Sequence, residues 1–179
     1  MSQRSYRSRR IGPADLASGF RSGTRPLDDY FHRHALTNDQ GDVGRAYVID
    51  ASPDDVAAGL PSVLGFFTLG MATVASQDVA SILSRRLPRY PMPVALIGRL
   101  AVDERARGRG LGEALLLEAL GRVVEASRLV ACLGVVVDAK DATAEDFYAR
   151  YDFVTVDEAS WPRRMFLPIQ VARAALDND

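Results

Sequence analysis

Between Arg25 and Thr37 the apolar residues Leu27, Tyr30 and Phe31 recur with His34 at i, i+3, i+4 and i+7, which is one stripe of a helix. Pro26 suits its first turn, Thr24 can cap it, and Asp28, Asp29 and Arg33 fall on the solvated face. The period then shortens. RAYVID (45–50) and VLGFFTLGMATV (63–74) are β-rich runs, and the Pro- and Gly-punctuated ASPDDVAAGLPS between them predicts an antiparallel hairpin with a long loop. A short helix is expected over 78–86, after which LPRYPMP enforces an extended connection. VALIGRLAV (94–102) reads as a strand, GEALLLEALGRVVEAS (112–127) as a helix, LVACLGVVVDA (129–139) as a strand and 141–150 as a short helix, with FVTV and RMFLPI as final strands. Hairpins thus give way to a β-α-β-α-β tail. The pattern predicts an α+β fold, a mixed, mostly antiparallel twisted sheet flanked by helices, in a single domain spanning 1–179.

Composition narrows the class. With 47% hydrophobic and 25% charged residues the chain is that of an ordinary globular protein, and no run reaches the roughly 18 apolar residues of a membrane helix. The basic opening MSQRSYRSRR, with Arg4, Arg7, Arg9 and Arg10, is followed by no apolar signal core, so the expected location is cytoplasmic. The net charge of −1 and pI near 6.1 argue against a protein that is basic all over. Only Lys140 among the 22 cationic residues is a lysine, so arginine-rich stretches carry less weight than usual. Cys132 sits in an apolar run with no neighbouring activator and is expected to be a buried structural thiol, and two histidines make a metal site unexpected. His34 is expected to be a hydrogen-bonded core or interface residue, and Tyr90 and Trp161 to be packing residues.

The stretch VDERARGRGLGEAL holds the candidate chemistry. Gly108, Gly110 and Gly112 lie between a strand and a helix, where unpaired N–H groups and the positive end of the helix dipole meet an anion, and glycine lets a phosphate approach the backbone. A tight strand-to-helix turn with surface arginines is the bland alternative. A dinucleotide fingerprint is excluded by Glu113, which stands where glycine or alanine is needed.

These residues resemble the GNAT N-acetyltransferases, whose pyrophosphate loop, Arg/Gln-x-x-Gly-x-Gly/Ala, is matched by Arg107, Gly110 and Gly112. The resemblance implies the GNAT acyl-CoA N-acyltransferase fold and acetyl-CoA as acetyl donor. Its pyrophosphate would lie on Arg107, Gly108, Arg109, Gly110, Leu111 and Gly112, and its pantetheine between the strand ending at Leu100, Ala101 and Val102 and the one ending near Asp138. Amides around Ala101 and Val102 would then face the thioester oxygen. AEDFYARYDF stands where the family carries Phe-Tyr-x-x-x-Gly-Phe, which makes Tyr148 the expected general acid, with Phe147 beside the cofactor. Asp152 replaces the family's glycine there and tolerates left-handed backbone better than most residues. The acceptor amine attacks directly in this family, so no nucleophile is required, and no general base is evident.

A narrower resemblance runs from about Phe20 to Leu167. FRSGTRPLDDYF, RAYVI, LGFFTLG, GRLAVD, the glycine loop and FYARYDF follow one another as in the GNAT toxins of bacterial toxin–antitoxin pairs. Those proteins acetylate the α-amine of aminoacyl-tRNA and are silenced by a ribbon-helix-helix antitoxin. The implied partners are therefore aminoacyl-tRNA, such an antitoxin and a second copy of the chain. Arg85, Arg86, Arg89 and Arg99 are the candidate phosphate contacts, with ordinary surface arginines as the alternative. An α-amine, with a pKa of about 8, needs less deprotonation than a lysine at about 10.4, which accords with the missing base. A GNAT acting on a small amine or protein N-terminus, and a non-catalytic acetyl-CoA-binding module, are the competing functions.

Overall fold

The computed structural model describes residues 6–177, so Arg4 lies outside the described residues. The chain forms strands β1 (Ser8–Arg10), β2 (Arg45–Asp50), β3 (Val63–Val74), β4 (Met92–Val102), β5 (Gly134–Ala139), β6 (Val154–Thr155) and β7 (Arg163–Pro168). Its helices are α1 (Arg25–Arg33), α2 (Ala35–Gln40), α3 (Pro53–Ala57), α4 (Ser76–Leu83), α5 (Leu111–Ala126), α6 (Ala142–Ala149) and α7 (Ile169–Asp177). The strands form one mixed sheet in the order β1-β2-β3-β4-β5-β7-β6. As the sequence predicts, β2 and β3 pair antiparallel; the loop between them contains α3, whose Ser52 and Asp55 form a reciprocal cap.

The chain divides into two compact units. The first combines the chain up to Gly70 with Arg99–Ala119. Its core gathers Phe20, Tyr30, Phe31, Val48, Phe66 and Ala101, so the amphipathic stripe of α1 is buried as its periodicity requires. The predicted helix over 25–37 is in fact two helices, because the backbone leaves helical geometry at His34 (φ −124°, ψ −30°). His34 itself is exposed rather than a core residue, and His32 is the histidine held by hydrogen bonds, to the carbonyls of Leu16 and Phe20. Strand β1 was not foreseen: its arginines are paired, Arg9 with Asp15 and Asp50 and Arg10 with Asp39.

The second unit contains Met71–Gly98 and the chain from Leu120 onward. Here β4 runs parallel to β5, from Ala95 opposite Val135 to Ile97 opposite Val137, and β7 pairs antiparallel with both β5 and β6. The expected strand over 129–139 starts only at Gly134. Residues 127–130 form the turn that leaves α5, with Leu129 89% exposed, and the chain rejoins the unit's framework through Leu133, bonded to Pro93 and Ile169. Cys132 consequently lies outside the strand, half-buried, its thiol donating to the Gly134 carbonyl. Tyr90 and Trp161 are exposed rather than packed; Trp161 has the Arg163 guanidinium over its ring at 4.2 Å. Asp152 adopts the left-handed conformation (φ 66°) that the family's glycine would take. No helix among the described residues is long and apolar enough to cross a membrane.

Candidate active site

In the first unit, β4 ends at Val102 and passes directly to Asp103, the most consequential residue that sequence reasoning missed. Its side chain is fully buried and accepts hydrogen bonds from the backbone N–H groups of Arg21 and Arg105 and from the Arg105 guanidinium. Burial alone would raise its pKa, but Arg105 and the two amides outweigh that cost and hold the carboxyl below its usual range. Asp103 also caps the 3₁₀ turn Glu104–Ala106 that opens the loop. A signal existed: an acid directly after a strand, with arginine two residues on.

The FRSG segment (20–23) is tied to that loop along its length. The Arg21 carbonyl accepts from the Glu104 amide, the Arg21 side chain pairs with Glu104, and Arg105 donates to the Gly19 carbonyl at 2.7 Å. Arg107 donates to the Ser22 carbonyl at 2.5 Å, and the Ser22 hydroxyl and amide both meet Asp28 at 2.7 Å. The FRSGTRPLDDYF signature therefore positions the start of α1 and forms one wall of the loop. Arg107 is exposed and has no carboxylate partner among the described residues, which leaves most of its five donors open. Arg109, by contrast, is engaged by Asp55 at 2.9 Å.

Gly108 and Gly110 have φ of 79° and 74°, a region that L side chains avoid, and nothing lies within 4 Å of where a Cβ would project from either. Leu111 is buried and starts α5, so the loop presents side-chain-free backbone at a sixteen-residue helix N-terminus. That surface, with Arg107 beside it, fits a diphosphate. Of the three expected β4 contacts, Ala101 is buried in the core while Leu100 and Val102 are partly exposed. Arg99, two residues before Ala101, is exposed with its guanidinium 3.5 Å from the Tyr30 ring centroid.

In the second unit, Tyr148 sits on α6, partly buried against Phe147 (5.1 Å between centroids) and Phe153 (5.5 Å). Burial pushes its pKa up to about 12, and its hydroxyl has no hydrogen-bond partner among the described residues. Glu145, one turn earlier, bonds Arg163 and Thr155 and so anchors α6 to β6 and β7. Asp138 at the end of β5 is exposed and paired through both oxygens with Arg164 at 2.9 Å. Arg85, Arg86 and Arg89 all lie exposed on the α4–β4 connection. The parallel β4–β5 ladder runs from the Ala95–Val135 pair to the Ile97–Val137 pair, and β4 continues to Val102.

A glycine-lined anion cradle after β4 in the first unit and a tyrosine on the helix after β5 in the second are each what the resemblance to coenzyme A-dependent acyltransferases leads one to expect. Comparison with known proteins agrees: residues 67–155 match the Acetyltransferase (GNAT) domain. The chain is 35% identical to a tRNA-acetylating toxin of Mycobacterium tuberculosis over 95% of its own length and 96% of the relative's. It belongs to the GNAT N-acetyltransferase family. Its fold also matches two solved structures. One is AtaT complexed with acetyl-methionyl-tRNAfMet (TM-score 0.80, 23% identity, 95% of this chain and 98% of that one). The other is a tyrosine-to-phenylalanine variant of the AtaT toxin bound to the C-terminus of the antitoxin AtaR and acetyl-CoA (TM-score 0.75, 22% identity, 96% and 98%).

Proposed function

We propose that this protein transfers the acetyl group of acetyl-CoA to the α-amine of aminoacyl-tRNA and so acts as a translation-blocking toxin. The observation that carries the reading is end-to-end similarity to the mycobacterial tRNA-acetylating toxin. Acetyl-CoA supplies the activated acetyl group. Arg107 and the backbone of Gly108, Gly110 and Gly112 hold its pyrophosphate, and amides at Ala101 and Val102 donate to the thioester oxygen as charge grows on it. Leu100 and Phe147 supply apolar contact to the coenzyme, the backbone of Leu111 belongs to the pyrophosphate loop while its side chain is buried in the core, and Arg109 and Asp138 act through their ion pairs with Asp55 and Arg164. Tyr148 holds a proton at its hydroxyl for the departing thiolate, and its high pKa keeps that proton in place at any physiological pH.

The acceptor side follows from the same chemistry. Near neutral pH a fair fraction of an α-amine is already unprotonated, so the site works without a dedicated base. Arg85, Arg86 and Arg89 meet acceptor phosphates. A ribbon-helix-helix antitoxin, a homodimeric assembly and a cytoplasmic location belong to the same reading. The deciding experiment incubates the protein with labelled acetyl-CoA and bulk tRNA, charged or uncharged. Label on charged tRNA only, released with the aminoacyl group by mild base, is the expected result. Label on free amines or peptide N-termini, with none on tRNA, rejects this acceptor; binding of acetyl-CoA with no transfer to anything rejects catalysis.

A further inference from the structure

Arg99 differs from most arginines of the first unit in what holds it. Arg9, Arg10, Arg105 and Arg109 are each fixed by an aspartate, whereas Arg99 has no carboxylate partner among the described residues and is fixed by an aromatic ring. Its guanidinium carbon stands 3.5 Å from the Tyr30 centroid, close enough for a cation–π stack. Tyr30 cannot move aside. Its ring is nearly parallel to Phe66 (13° between planes), its hydroxyl accepts from Asn38, and only 7% of its surface is exposed. Arg99 nevertheless remains exposed, so one face of the cation is anchored to a rigid core and the rest meets solvent.

Strand geometry places this cation with respect to the chemistry. Arg99 and Ala101 are two residues apart on β4, hence on one face of the strand and separated by about 7 Å. Ala101 belongs to the same core cluster as Tyr30. An amine that attacks an acetyl group held at the amides of Ala101 and Val102 therefore brings the nucleotide that carries it within reach of Arg99. We infer that Arg99, its guanidinium carbon held 3.5 Å over the Tyr30 ring, is a stacking platform for an unpaired nucleobase at the 3′ end of the acceptor RNA. This rests on the aminoacyl-tRNA reading above and assigns it a specificity residue. Single-stranded RNA is recognised through bases laid on aromatic rings or guanidinium planes, and a cation already held over a ring loses little freedom in taking one. A phosphate contact needs only charge, which a lysine would also supply; a stack needs the plane.

The test uses the full-length protein with two acceptors, charged tRNA and an amino-acid amide that carries no nucleotide, and compares wild type with Arg99→Lys and Arg99→Gln. The expected result is a rise of about ten-fold in KM for charged tRNA in both variants. The kcat, the acetyl-CoA affinity, the melting temperature and the rate on the amino-acid amide should stay at wild-type values. A wild-type KM in Arg99→Lys beside a raised KM in Arg99→Gln overturns the stack, because charge alone then suffices. An equal loss on the amino-acid amide also overturns it, since Arg99 would then be supporting the site rather than reading the RNA. Wild-type protein that acetylates the amide but never charged tRNA overturns the acceptor reading itself and this inference with it.

Discussion

At the scale of single residues, one proton and one carboxylate carry the argument. Replacing Tyr148 with Phe keeps the ring packed against Phe147 and Phe153 and removes only the hydroxyl. Turnover should fall by roughly 10² to 10⁴ while the Kd for coenzyme A, measured by calorimetry, stays at the wild-type value. Equal turnover would mean that water protonates the thiolate. Because burial lifts the Tyr148 pKa to about 12, the wild-type rate on an amino-acid amide should rise through the acceptor amine's pKa and then stay flat past pH 10, where an ordinary phenol would already be failing as an acid. The same shift has a sign in stability: a group whose folded pKa is raised stabilises the fold below its unfolded pKa and ceases to do so as pH climbs from about 10 to about 12. Asp103 works in the opposite sense. Its folded pKa is lowered, so its contribution is present at neutral pH and lost as pH falls below about 4. Asp103→Ala leaves Arg105 and two loop amides without their acceptor, and should cost about 2–3 kcal/mol in urea unfolding. The variant's stability should also change less than the wild type's between pH 6 and pH 3; parallel acid profiles would show that Asp103 is not the titrating group.

At the scale of elements, the glycine loop and strand β5 place different demands on their glycines. Around Gly108 and Gly110 there is room for a methyl group, and the obstacle is backbone conformation; Gly110→Ala should cost about 1–2 kcal/mol through its positive φ. It should also weaken coenzyme A binding several-fold, because its Cβ projects into the space a phosphate oxygen would take. Unchanged binding in the folded variant would remove the loop from the coenzyme site. At Gly134 a Cβ would lie 2.3 Å from the Leu167 carbonyl and 2.4 Å from the Phe166 ring, so Gly134→Ala must push β5 away from β7 and should lower the melting temperature without a specific effect on coenzyme affinity. These elements also show what the sequence could and could not convey. The hairpin, β4, α5 and α6 follow from periodicity and turn chemistry, and the Arg107-to-Gly112 loop is legible because phosphate binding demands small residues at a helix start. The start of β5 was misjudged because LVACL has strand-like residues that tertiary structure uses as a turn, and apolarity alone does not distinguish the two. The bond from Arg107 to the Ser22 carbonyl was invisible for another reason: the partners are far apart in sequence, and a backbone acceptor leaves no trace in residue identity.

At the scale of the whole molecule, a net charge of −1 has to be reconciled with a polyanionic acceptor. The reconciliation lies in where the acids are used. Asp39, Asp55, Asp103 and Asp138 each neutralise one arginine inside an ion pair, and Asp15 and Asp50 share Arg9, so these acids lower the total charge without screening the remaining arginines. The α4–β4 connection reads SRRLPRY, contains no acid, and exposes Arg85, Arg86 and Arg89 without carboxylate partners among the described residues. A local cationic segment of this kind makes binding to RNA steeply salt-dependent even on a protein whose pI is below 7. If all three arginines meet phosphates, changing them together to Glu should lower the slope of log Kd against log salt by about 2 to 3. Acetylation of charged tRNA should fall, while acetylation of an amino-acid amide and affinity for coenzyme A stay unchanged. The same triple variant, induced in a bacterial host, should relieve the growth arrest expected of wild type, as Tyr148→Phe should for a chemical rather than an electrostatic reason. A triple variant that binds and acetylates charged tRNA with the wild-type salt slope would move the RNA interface away from this connection and leave Arg99, on the far side of β4's Gly98 in sequence, as the cation to follow.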